Sequence, residues 1–171
     1  TDIQVSETLE TVQQEETKRR SRTSSSSSSS TIQPEELETV EGLKNLGNIK
    51  FAAGDYVKAI ALYDQALHQD PKNATLYSNR SAANFKLGNL GLAMEDAEKT
   101  IDLNPTWSKG YWRKANVQMS VEKYADAIET LDKGLLYNPI DRDLVQARKQ
   151  AVENLQTLDP QNPNLVSATG Q

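Results

Sequence analysis

The chain has 171 residues, enough for one domain of ordinary size with a tail, and 24 acidic against 19 basic side chains leave a formal net charge of −5. That balance argues against a general affinity for nucleic acid, and the absence of Cys removes disulfides, thiolate nucleophiles and Cys-ligated metals. No apolar run approaches the roughly 20 residues that cross a bilayer, and no charged-then-apolar secretory signal opens the chain, so a cytoplasmic setting without membrane association is expected.

Residues 1–37 are polar, with a serine tract from Ser24 to Ser30 and few large apolar side chains. Such a segment buries too little surface to offset the entropy of ordering it, and a disordered acidic and Ser-rich tail is expected. ETLETVQQEE is its one stretch of helical character. The cluster KRRSR (18–22) reads as solvated linker charge, the alternatives being a nuclear signal or a basophilic kinase site at Ser21. Because the first residue is Thr, the chain is expected to be a piece of something longer. Pro34 followed by Glu35, Glu36 and Glu38 has the chemistry of a helix start, and a folded domain is expected over 38–158.

That stretch repeats itself. Pro71, Pro105 and Pro139 are spaced 34 residues apart, and small residues recur in the same frame: Gly47, Ser81 and Ala115, then Ala59, Ala93 and Ala127. Apolar positions have helical spacing, and each unit is divided by turn chemistry at Ala53-Gly54-Asp55, Leu87-Gly88-Asn89 and Val121-Glu122-Lys123. Each unit, about 40–73, 74–107 and 108–141, is therefore a helical hairpin that ends near a proline. A lone hairpin cannot cover its apolar face, so the three must stack. The last unit needs a cover, and 141–158 offers an amphipathic capping helix with Leu144, Ala147, Ala151, Val152, Leu155 and Leu158 on one side. Residues 159–171 hold two prolines and no period, and are expected to be a flexible tail.

Over about 38–158 the sequence resembles the tetratricopeptide repeat family. LKNLGNIKFAAGDYVKAIALYDQALHQDP and LYSNRSAANFKLGNLGLAMEDAEKTIDLNP carry the likeness strongly. GYWRKANVQMSVEKYADAIETLDKGLLYNP departs from it with Glu122 at the usual turn glycine and Gly134 at a later small position. The resemblance implies an all-α fold, a right-handed superhelix of three helix-turn-helix repeats closed by a capping helix.

In stacked hairpins of this kind the first helices line the concave face and the second helices lie outside. Residues three and four apart on the first helices place Lys44, Asn48 and Phe51 on that face, then Ser78, Asn79, Ala82, Phe85 and Lys86, then Lys109, Trp112, Arg113, Asn116 and Met119. This set has several cations and no carboxylate, so it should prefer an anionic ligand. Lys44-x-x-x-Asn48, Asn79 within LYSNRSAA, and Lys109-x-x-x-Arg113 within WSKGYWRKA also match the two-carboxylate clamp of co-chaperones that bind seventy- and ninety-kilodalton heat-shock proteins. What that likeness implies is recognition of a C-terminal Glu-Glu-Val-Asp tail. Lys44, Asn48 and Asn79 would hold the terminal carboxylate, Lys109 the Asp side chain, and Arg113 a peptide carbonyl or an upstream acid. Phe51, Ala82, Phe85 and Lys86 are candidate contacts to the rest of the peptide.

Other functions remain open at this level. A general protein-interaction scaffold, or the repeat segment of a larger enzyme, would share the period. No phosphate loop, nucleophile motif, metal spacing or cofactor motif is legible, and His68, the one histidine, falls on a second helix as a surface residue.

Overall fold

The computed structural model describes residues 38–158, and within them the chain forms seven α-helices and no strand. They are α1 (Val40–Ala52), α2 (Tyr56–Gln69), α3 (Ala74–Lys86), α4 (Leu90–Leu103), α5 (Ser108–Ser120), α6 (Tyr124–Tyr137) and α7 (Arg142–Leu158). The serine tract, KRRSR, the Pro34 helix start and the 159–171 tail lie outside the described residues.

Side chains set where the helices begin. Thr39 accepts from the amide of Gly42 at 3.0 Å, Asp55 from Lys58, Asn73 from Leu76, and Asp141 from both Asp143 and Leu144 at 3.1 Å. Each satisfies a helix-start amide that has no partner within the helix, typically contributing about 1 kcal/mol.

The first helices all end in the same way. The amides of Asp55, Asn89 and Lys123 reach back to the carbonyls of Lys50, Asn84 and Gln118 at 2.9 Å, while the preceding residue bonds Phe51, Phe85 or Met119. That pattern requires a left-handed residue just past the helix, supplied by Gly54 (φ 80°), Gly88 (φ 79°) and Glu122 (φ 59°). Glu122 takes the glycine geometry because the two backbone bonds outweigh a Cβ clash that costs on the order of 1–2 kcal/mol.

Each first helix packs on its own second helix and on the next first helix, so that α1, α3, α5 and α7 form a continuous inner row. The second helices α2, α4 and α6 bring no Cα atoms within 8 Å of one another and lie outside this row. This is the all-helical repeat fold, with α7 covering the last hairpin.

Two apolar clusters fill the stack. One gathers Leu43, Tyr63, Leu67 and Leu76; the other gathers Tyr111, Leu131, Leu144 and Ala151. Burying each Leu is typically worth about 1.5–3 kcal/mol. Polar ties recur with the repeat. Arg80 bridges Asp64 and Asp96, Lys114 reaches Glu98 at 2.7 Å, and Arg148 reaches Asp132, so each cation ties its helix to the preceding second helix. The Arg80 pairing to Asp96 and Asp64 raises the guanidinium's already high pKa, chiefly through the hydrogen bonds to Asp96. The first hairpin has Leu46 in that frame, so this tie is made only from the second repeat onward among the described residues. Tyr77 and Tyr111 donate to the carbonyls of Pro71 and Pro105, pinning the turns between units.

Candidate functional site

The inner row brings Asn48 and Phe51 of α1, Asn79 and Ala82 of α3, and Arg113 of α5 around one cavity of about 290 Å³, which Tyr63 of α2 also lines. No carboxylate lines it. Asn48 is exposed, and its Oδ1 accepts two hydrogen bonds, from the Tyr63 hydroxyl at 2.8 Å and from Asn79 Nδ2 at 3.0 Å. Its Nδ2, and the second hydrogen of Asn79 Nδ2, remain to serve a ligand as donors.

Arg113 carries the positive charge of this cavity. Its guanidinium lies 4.9 Å from the centroid of the Trp112 ring, and its buried Nε has no hydrogen-bond partner. Burial lowers its pKa, the charge being held away from water with no acid beside it. A buried donor without an acceptor is costly, and Nε is left with that cost.

The remaining candidates are placed differently. Lys109 is exposed, with Nζ 5.8 Å from the centroid of the Trp107 ring, and it lines a second cavity of about 460 Å³ with Trp107, Trp112, Asp141, Asp143 and Leu144. Lys44 is tied to Glu41 at 2.7 Å. That contact corrects the expectation of a carboxylate-free row: Glu41 lies three residues before Lys44 on the same helix face, and Lys44 in turn holds the Glu41 carboxyl below its usual range. Phe85 is half-buried and Lys86 exposed, and neither lines either cavity; Phe51 stacks edge-on to Tyr56 with ring centroids 5.2 Å apart.

Ser78 is a second correction. It is fully buried rather than on the concave face, and its Oγ finds no partner. Lys44, Ser78 and Trp112 share one frame position, which points at the neighbouring helix, so only a long side chain reaches past it.

Tyr63 is the residue that periodicity passed over, because second helices were assigned to the outside. It is 1% exposed, yet its hydroxyl reaches the inner row by crossing α1 at Gly47, where a Cβ would stand 2.5 Å from the ring. The readable signal is a size match: the smallest residue of one frame position faces the bulkiest of another.

Residues 47–88 match the family described as TPR repeat. A wheat protein named Hsp70-Hsp90 organizing protein is 41% identical over 109 residues, 64% of this chain but 19% of its own length. The chain thus spans about a fifth of the length of such curated relatives. Among solved structures, the TPR2B domain of yeast Sti1, described as a complex with pHsp70, is 31% identical with a TM-score of 0.63, covering 67% of this chain and 96% of that one. The chain belongs to the tetratricopeptide repeat family. A further tetratricopeptide structure, the first such domain of Spaghetti (RPAP3) bound to the HSP90 peptide SRMEEVD, aligns with a TM-score of 0.64 at 26% identity over 68% of this chain and 93% of that one.

Proposed function

We propose that this tetratricopeptide domain is a co-chaperone module whose inner row binds the free, acidic C-terminal end of a partner, the Glu-Glu-Val-Asp tail of a seventy- or ninety-kilodalton heat-shock protein. Arg113 carries the proposal: a half-buried guanidinium whose buried Nε has no hydrogen-bond partner faces a cavity whose polar lining also includes two amide donors and no acid. The partners named for the yeast and Spaghetti structures supply the class of ligand.

In this reading Asn48 and Asn79, joined by Lys44 once it releases Glu41, take the terminal carboxylate. Lys109 takes the Asp side chain, and Arg113 a peptide carbonyl or an upstream acid. Phe51 and Ala82 offer apolar surface to the Val, and Phe85 and Lys86 flank the upstream residues. Charge-assisted hydrogen bonds contribute roughly 1.5–3 kcal/mol each before the cost of ordering the peptide, so a few of them sum to micromolar affinity, about −8 kcal/mol. The module is read as a binding device and not a catalyst. His68, the one histidine, is exposed on α2, away from the cavity.

Titration calorimetry with a peptide ending in Glu-Glu-Val-Asp tests this directly. Micromolar binding by wild type that weakens with salt and falls roughly 10- to 150-fold on Arg113→Ala is the expected result. Binding by Arg113→Ala equal to wild type would falsify it. Charge reversal at Lys109 separates the clamp from a scaffold that lays a partner helix in the groove, since only the clamp loses its ligand.

A further inference from the structure

The Tyr63 hydroxyl has no evident packing purpose. Its counterparts one and two repeats later are Ala97 and Leu131, each 0% exposed, so the position is filled elsewhere by apolar side chains of quite different size. Only the hairpin that carries Asn48 has a polar tip there, and α1 narrows to Gly47 to let it through. Burial pushes the Tyr63 pKa up to about 12, against the opposing pull of Arg113, so the hydroxyl keeps its proton across the working range of pH.

That proton goes to Asn48 Oδ1, which also accepts from Asn79 Nδ2. Both lone pairs of the amide oxygen are therefore in use. Turning the Asn48 amide over would leave the Tyr63 proton without an acceptor and set two NH₂ groups against each other. Asn48 consequently meets a ligand as a donor and cannot offer its oxygen. A carboxylate, which only accepts, suits that arrangement; a terminal carboxamide brings an NH₂ that the locked Asn48 cannot receive.

We propose that Tyr63 is a positioning residue for specificity: acting through Asn48, it fixes the inner row as a donor surface that selects a free C-terminal carboxylate over a carboxamide. This deepens the binding reading above and rests on it.

The test is a calorimetric comparison of two peptides, one ending in Glu-Glu-Val-Asp with a free carboxylate and the same peptide with a C-terminal carboxamide. Each is titrated into wild type, Tyr63→Phe, Asn48→Ala and the double variant. Tyr63→Phe keeps the ring packed on Gly47, and its melting temperature is recorded alongside. The expected result is an acid affinity lowered about three- to tenfold with the amide affinity little changed, so that the acid-to-amide ratio narrows. In the Asn48→Ala background the hydroxyl should have no further effect, the signature of action through one partner. An independent variant, Asn48→Asp, keeps acceptors for Tyr63 and Asn79 while turning an oxygen to the ligand, and should bind the acid peptide more weakly than Asn48→Ala. An unchanged ratio in Tyr63→Phe, an equal loss in both backgrounds, or Asn48→Asp binding better than Asn48→Ala would overturn the role of Tyr63 while leaving the binding reading standing. Failure of wild type to bind the acid peptide overturns both.

Discussion

The first and third hairpins share a backbone frame and use its polar positions in opposite ways. In the first, Lys44 is held by Glu41 and Asn48 by Tyr63 and Asn79, so its groups are oriented before any ligand arrives. In the third, Arg113 and Lys109 lie against the Trp112 and Trp107 rings and make no ion pair among the described residues. One end of the groove supplies direction and the other supplies unspent charge. A ligand that needs both must span the row.

The largest effect that would break this contrast comes from Arg113. Arg113→Ala should lower affinity for the acid peptide roughly 10- to 150-fold, the loss of one hydrogen-bonded charge, while the melting temperature of the free domain stays level or rises. A matching fall in stability would show that the guanidinium is structural. Lys109→Glu comes next, with a loss of roughly tenfold that shrinks as salt is raised, because its ammonium is exposed and screened. Calorimetry at two ionic strengths checks both the size and the slope.

The turns differ as well, and here the measurement is stability. Gly54 closes the first hairpin without strain where Glu122 holds φ at 59°. Glu122→Gly should therefore stabilise the domain by about 1 kcal/mol in urea unfolding with peptide affinity unchanged, the relief of left-handed strain exceeding the entropy glycine adds to the unfolded chain. The smallest effect belongs to Glu41→Gln, which frees Lys44 and should raise affinity about twofold at low salt and less at high salt. No gain would mean that Lys44 leaves Glu41 at no cost, or is not used.

The repeat fold was legible because a period of 34 leaves marks in prolines, small residues and turns together, and stacking makes those marks obligatory. Even the departure at Glu122 was readable, since the backbone bonds of that turn do not depend on its side chain. The site was legible to the extent that helical spacing assigns faces: Asn48, Phe51, Asn79, Ala82 and Arg113 come together around one cavity. Spacing fails at frame positions lying between two faces, where length decides, so that Ser78 is buried while Lys44 reaches out. It fails again where a side chain passes between helices, as Tyr63 does over Gly47, because no one-dimensional period records what crosses from the next helix. Glu41 was hidden for a third reason: it holds the frame position that Lys109 fills in the third hairpin, and the sign of the charge changes between them.

The ties made by Arg80, Lys114 and Arg148 have a mechanical consequence. Arg80 and Lys114 directly follow Asn79 and Arg113 in sequence, so each groove residue has a neighbour that fastens its helix to the hairpin before it. The backbones of the second helices stay more than 8 Å apart, so on the outer side these ties resist the row opening like a fan. A peptide laid across α1, α3 and α5 would act on the inner side as a strut against the same motion. Occupancy would then be felt far from the contacts themselves, as slower amide exchange along helices that the ligand never meets.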